Sequence, residues 1–566
     1  MTITLKCYAN CDDVLLVWDV TDGVIPGCLG FAIEVKKSDG SIEALVNLKG
    51  FAADQPKIGQ TQPSTSWPLQ TYIWTDHTIL VGTEVEFCVT AMVGQPHNLT
   101  RGQTSGWSGM LTLSPAAGAQ TSAFFNRGVI LSQFVSRFAQ ENNITSMPAL
   151  KKALLEAVDQ PLMQFLTGEL GKAIRGILQQ AKSNPKIEIY CALFELDLDD
   201  LIEGLIALQG RAHVILGNGS VKARGDDENA GAAQRLQDGG VDLHRRMVAP
   251  GGLAHNKFVV IVVDGTPFGV WTGSTNWTMT GLHTQINNGV AITNEAIATT
   301  YLNQWNLIKD SASSFTPALK ASNDTVKGPL AMVGKQQARI WFTPNSGKAK
   351  GGGPDIDDLT ALVNNARDGI LFVMFMPGQE PLASILKRQE AGLYVRGVVS
   401  TLPTGSKTNP SLTYQIMNGD GYKDHLLEVI QPAGADAVGS FIAEFSRQQF
   451  LSGMGFAITH SKVIVIDPFG VNPVVVTGSH NLSVSASEKN DENLLIIENC
   501  PELAKAYAVN CMTVYQHYHW PASQAAAKKL RAQDANSNKG YLNTTDAWQD
   551  KLKDPDRLAD LKFWLP

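Results

Sequence analysis

Adding 205 to His255 gives His460, and the same step takes Lys257 to Lys462, Gly273-Ser274 to Gly478-Ser479, Asn276 to Asn481 and Ile292 to Ile497. One register serves about forty residues without a gap, which chance does not produce, so the chain contains an internal duplication. Any fold for it has to be built from two similar units. The stretch 401–455 is longer than its counterpart in the first copy, so the second copy carries an insertion.

Around the matched blocks, helical and strand patterns alternate. Residues 147–182 read as helical, Ile187 to Phe194 as a strand, Leu198 to Leu208 as a helix and Ala212 to Leu216 as a strand. Strands follow at Phe258 to Val263 and Phe268 to Thr272, then a helix from Glu295 to Lys309. The second copy repeats this order through Gly369 to Met376, Pro381 to Ala391, Val395 to Ser400, Val463 to Ile466, Val474 to Thr477 and a helix over 501–518. Continuous apolar strands between helices argue for layered α/β units. Residues 1–115 differ. Short alternating runs (Val14 to Val20, Gly30 to Lys36, Glu84 to Val93) are broken by turns such as Ser38-Asp39-Gly40, the pattern of an all-β domain. With Trp18 early and Tyr72-Ile73-Trp74 ahead of Glu86-Phe87-Cys88-Val89, this segment resembles a fibronectin type III or immunoglobulin-like sandwich. Ser114-Pro115-Ala116-Ala117-Gly118 reads as the linker.

The duplicated residues have a shared chemistry. Ala254-His255-Asn256-Lys257 and Thr459-His460-Ser461-Lys462 each set His and Lys two apart at a strand start, on one face. Ser274 and Asn276, then Ser479 and Asn481, add a hydroxyl and an amide at the end of the next strand. A phosphate needs cations and neutral donors around its oxygens and a group that attacks in line. Lys, Ser and Asn supply the donors, and His the attacking nitrogen.

His-x-Lys followed by Gly-Ser-x-Asn, twice, is similar to the HKD motif of the phospholipase D superfamily, over about residues 120 to 520. The resemblance implies two pseudosymmetric α/β/α sandwich halves, over 119–325 and 326–520, preceded by the β-domain and followed by a C-terminal tail over 521–566. It implies one shared site without metal or other cofactor. One His attacks phosphorus to give a phosphohistidine; the other protonates the leaving alcohol and then activates water or an acceptor alcohol. By order in the family, His255 is the nucleophile and His460 the acid/base. The family motif has an Asp five residues after the Lys: the second copy keeps Asp467, read as a structural brace, while the first has Val262 there and an Asp at 264. The family also often places a carboxylate beside a catalytic His. Glu492 fits that position, and Asn287 is its counterpart. If each serves the His of its own copy, the carboxylate raises the basicity of His460; otherwise Glu492 is a structural residue or a partner of His255 across the pseudo-twofold. Trp277 reads either as a packed rim residue or as a candidate for stacking on a base or headgroup, and Asn287 is a candidate for substrate contact.

A net charge of −7 lacks the basic excess of a dedicated nucleic-acid binder. With the apolar insertion segment Phe441 to Leu451, read either as an acyl-chain groove or as a core helix, it favours a phospholipid diester, at a membrane surface, over DNA or RNA. Asn276-Trp277-Thr278 argues the other way, being similar to nuclease members. A third reading makes the β-domain the functional part, binding a protein or glycan. The seven cysteines lack paired C-x-x-C knuckles and read as buried thiols. There is no run of 18 apolar residues and no signal-peptide pattern at Met1-Thr2-Ile3-Thr4-Leu5-Lys6, so the expected location is the cytoplasm, with signal-independent export left open.

Overall fold

The structure, a computed structural model, describes residues 2–21, 23–56, 60–127, 161–347, 353–400, 429–430, 459–533 and 541–566. The expected helix before 161 and the apolar insertion segment 441–451 lie outside the described residues.

The N-terminal region is built of strands. Ile3–Ala9, Val14–Val20 and Ile73–Asp76 form one antiparallel sheet, and Cys28–Lys37 and Glu84–Gln95 are the centre of another. Alternation sets one side of each strand inward. Trp18 of the first sheet meets Phe31 of the second edge-on, ring centres 5.6 Å apart.

The duplication appears as two mixed sheets. In the first, Ile187–Leu193 is parallel to Ala212–Gly217, and Ala212–Gly217 to Asp242–Arg246. On its other side Ile187–Leu193 is antiparallel to Lys257–Val263, followed by Thr266–Gly273, Asn288–Ile292 and Thr121–Phe125. In the second, Gly369–Met374 is parallel to Tyr394–Val399 and antiparallel to Lys462–Ile466, followed by Val474–Gly478, Glu492–Glu498 and Gln337–Thr343. Central strands buried on both faces need continuous apolar sequence, and both have it. The largest core joins apolar residues of both sheets with the helices Glu295–Asp310 and Pro501–Gln533. Each half has a second core on its outer side.

Two matching polar seams hold the halves together. The Oδ1 of Asn493 accepts from Thr272 Oγ1 (2.9 Å) and Tyr301 OH (3.1 Å), and that of Asn288 accepts from Thr477 Oγ1 (2.7 Å) and Tyr507 OH (3.2 Å). Arg246 of the first half forms a buried two-point ion pair with Asp491 of the second, at 2.8 and 3.0 Å.

Within the segment 521–566, expected as a tail, the described side chains from 541 on include several that are packed. The helix beginning at Pro501 runs on to Gln533. Trp548 then stacks on Tyr72 of the β-domain and donates to the Cys28 carbonyl at 2.8 Å. Phe563 stacks on Tyr394 of the second half, ring centres 4.0 Å apart. Large apolar side chains in this segment would cost free energy if left in water, which is why it docks. The seven cysteines are unpaired; six are buried and Cys7 is half-buried. Among the described residues, no helix is long and apolar enough to cross a membrane.

Candidate active site

Lys257 and Lys462 open equivalent strands, with His255 and His460 two residues before them. Each ammonium donates to the carbonyl of its own histidine, at 2.8 Å in the first half and 2.5 Å in the second. It also lies over a phenylalanine at the end of the adjoining strand, Lys257 over Phe194 and Lys462 over Phe375, both 4.9 Å from the ring centre. The same two rings pack on His255 and His460, each at 4.8 Å. Aromatic walls on both sides keep water from the imidazoles and sharpen every electrostatic effect between them.

The partners of the histidines cross between halves. Glu492 Oε1 lies 3.3 Å from His255 Nδ1, and Asn287 Oδ1 lies 2.9 Å from His460 Nδ1. The expectation that Glu492 serves His460 of its own copy is therefore wrong. The cause is the way the loops interlock: His460 N–H donates to the Ile286 carbonyl, and Asp491 N–H to the Leu253 carbonyl. Each histidine loop is thus laid along the other half's partner loop. Asn287 Nδ2 donates to the Gly281 carbonyl, which turns its oxygen toward His460 and Ser274. An amide oxygen only accepts, so the proton of neutral His460 sits on Nδ1 and its Nε2 carries the lone pair. Glu492 faces His255 Nδ1 as a close negative charge.

Burial dominates the ionisation of the group. It pushes His255 down to about 4, with Lys257 adding to the fall and Glu492 opposing it. His460, beside both lysines and without a carboxylate, is held well below the ordinary range. Lys257 is pushed down to about 7 by burial, and Lys462 well down by burial and by Lys257. Glu492 stays ionised, its carboxyl pulled down to about 2 against a burial effect of the opposite sign, chiefly by His255. Four buried nitrogen bases share one carboxylate contact, so the group is built to gain charge when an anion arrives.

Ser274 donates to Asn287 Oδ1 (2.7 Å) and accepts from Asn288 N–H (3.1 Å). Ser479 accepts from Asn493 N–H at 3.0 Å. The two serines thus brace the partner loops. Asn276 Nδ2 donates to Glu195 at 2.6 Å, and Asn481 N–H donates to Glu492 at 3.1 Å. All nine residues expected to be catalytic fall in this network, and Asn287 joins them as a positioning residue. Trp277 does not. It is 1% exposed and packed in the outer core of the first half, where no base or headgroup can stack on it. Asp467 braces structure, as expected: its carboxylate accepts the backbone N–H groups of Arg367, Asp368 and Gly369. In the first half the strand is longer, so the matching Asp264 lies seven residues after Lys257 and pairs with exposed Lys186. Among the described residues no cluster of three or more His, Cys, Asp or Glu could hold a metal ion.

Glu195 escaped sequence reasoning. It follows Phe194, and the strand registers Leu193↔Lys257 and Met374↔Lys462 make Met376 its counterpart. The step there is 181 residues, so the 205-residue register carries no signal of it.

A family model described as cardiolipin synthase, PLD-like domain matches residues 174–308 and 359–511, more than half of the chain. The chain belongs to this PLD-like family. Both matched segments of the PLD-like protein contain one His-x-Lys and one Gly-Ser-x-Asn. Among solved structures it is similar to phosphatidylserine synthase of Haemophilus influenzae, at 15% identity over 66% of this chain and 94% of that one, with a TM-score of 0.41. Polyphosphate kinase of Porphyromonas gingivalis shows 15% identity over 57% of this chain and a TM-score of 0.37; the match spans 45% of that enzyme. Nuc of Salmonella typhimurium, a phospholipase D family member, shows 21% identity over 25% of this chain and 88% of its own, with a TM-score of 0.21. No curated protein matches the chain.

Proposed function

We propose that this PLD-like protein is a metal-independent phosphodiesterase that hydrolyses, or transfers, a phospholipid diester through a phosphohistidine. The observation that carries the reading is the crossed pair of buried imidazoles, His255 with the Glu492 carboxylate beside its Nδ1 and His460 with the Asn287 oxygen on its Nδ1, between two buried ammoniums.

In this reading the diester anion is received by Lys257, Lys462 and the amides of Asn276 and Asn481, and its charge restores the protonated form of the lysines. His255 Nε2 attacks phosphorus while His460, protonated once the anion is bound, gives its proton to the leaving alcohol oxygen. N-phosphorylation leaves a positive charge on the His255 ring, and Glu492 is the carboxylate placed to neutralise it. His460, with a neutral amide behind it, is the stronger acid and gives up its proton readily. In the second step neutral His460 takes a proton from water or an acceptor alcohol, whose oxygen attacks phosphorus and releases His255. The family and the chemistry fit nucleic-acid diesters too, but the burial of Trp277 removes the side chain that would have stacked on a base.

Purified protein, assayed with EDTA against phosphatidylethanolamine, phosphatidylglycerol and single-stranded DNA, tests the proposal. It predicts lipid turnover undiminished by the chelator. Cleavage of DNA alone would overturn the lipid assignment, and turnover lost in EDTA but restored by one metal would overturn the mechanism.

A further inference from the structure

The two sides of the pseudosymmetric site differ at a second pair of positions besides Glu492 and Asn287. On the first side the loop after Phe194 is held by Asp197 N–H on the Trp277 carbonyl, and by Met279 N–H on the Asp197 carboxylate. On the second, the loop after Phe375 is held by Gly378 N–H on the Leu482 carbonyl. These matched loops present Glu195 on one side and Met376, 48% exposed, on the other, with exposed Val484 two residues beyond Leu482. One side is acidic and the other apolar.

The acidic side has acceptors to spare. Glu195 Oε2 takes the Asn276 hydrogen bond, and its Oε1 has no hydrogen-bond partner among the described residues. Asn276 is 6% exposed, and its Oδ1 is buried without a partner. A carboxylate oxygen and an amide oxygen both accept, so the missing group is a donor; beside a carboxylate, a cation suits best. Burial, with Glu228 and Asp197 adding to it and Lys257 opposing, pushes Glu195 up to about 7. A cation seated there would relieve that cost. Asn481 Oδ1 is also unpartnered, but its side offers the thioether of Met376 where Glu195 would be.

We propose that Glu195, with Asn276 Oδ1, is the specificity determinant that receives the ammonium of an amino-alcohol headgroup, while the Met376 side faces the apolar part of the lipid. This rests on the phospholipid reading above. A cationic headgroup sits one short alcohol away from its phosphate, so phosphorus held between the lysines brings the ammonium beside the Asn276 amide. A glycerol headgroup gains nothing from the carboxylate, and a nucleic-acid strand brings further anions, which it repels.

The test is the ratio of kcat/KM for phosphatidylethanolamine over phosphatidylglycerol in mixed micelles. The wild-type ratio favours the cationic headgroup. Glu195→Gln lowers the ratio about tenfold, the scale of one hydrogen bond to a charged group, whatever it does to the shared chemical step, and Glu195→Asp restores most of it. A wild-type preference for phosphatidylglycerol, or equal losses on both lipids in Glu195→Gln, would overturn the proposal and leave Glu195 as a positioning residue for Asn276. Should Glu195→Gln be too slow on lipids, inhibition by phosphoethanolamine against glycerol phosphate, with a chromogenic diester as reporter, reads the same ratio. Cleavage of DNA but neither lipid would refute the phospholipid reading itself.

Discussion

Replacing Glu492 by Gln removes a buried charge and leaves the shape almost unchanged. The carboxylate lies 3.3 Å from His255 Nδ1 and is 0% exposed. Opposite charges at that separation attract by ~5 kcal/mol at an effective dielectric near 20. The amide keeps a hydrogen bond worth about 1 kcal/mol. A net loss of ~3–4 kcal/mol where the His255 ring turns positive corresponds to a fall of about 10²–10³-fold in kcat. The pH profile gives a second readout. His255 must be neutral to attack, so the acid limb of kcat/KM follows its ionisation, near 4. Glu492 favours the imidazolium, so its removal makes protonation harder and moves the limb to lower pH. Stopped assays from pH 3 to 8 measure both effects. A variant that keeps its turnover, or whose acid limb rises or stays fixed, would refute the pairing of charge to nucleophile.

Two further outcomes concern the frame that holds the site. Asp491→Ala strands buried Arg246 without its carboxylate and lowers stability by ~3–5 kcal/mol in denaturant unfolding; Arg246→Met combined with Asp491→Leu recovers most of it. If the single variant unfolds like the wild type, the seam between the halves does not depend on this pair. Trp548→Ala removes a 2% exposed indole packed on Phe31 and Tyr72 and costs ~3–5 kcal/mol, read as a lower Tm. An unchanged Tm would mean that the C-terminal segment does not clasp the β-domain.

The repeat made the two α/β halves legible because strands that carry the site cannot gain or lose residues without turning a side chain to the wrong face. Thr272 and Thr477, and Asn288 and Asn493, keep the same 205-residue step and could have been read with the motifs. The crossed pairing of Glu492 could not: sequence neighbours suggest partners within a copy, whereas the loop hydrogen bonds that exchange them are between backbone groups, which leave no residue signature. Glu195 was hidden because the loop lengths upstream differ between the copies. Trp277 follows a site residue, but the next side chain along an extended backbone points the opposite way, here into the outer core, which agrees with the packed reading. In residues 541–566, scattered tryptophans without periodicity read as a tail; what gives them a place is the β-domain surface they meet.

In the proposed mechanism His255 Nε2 bonds to phosphorus during turnover. Substrate labelled in the phosphate, quenched in base within milliseconds and digested for peptide mapping, tests this directly. The expected result is an acid-labile, base-stable phosphoryl group on the peptide containing His255, absent in His255→Ala and accumulating in His460→Ala with a substrate whose leaving group needs no proton. A label on His460 would reverse the two roles, and turnover with no covalent adduct in any of these proteins would contradict the mechanism.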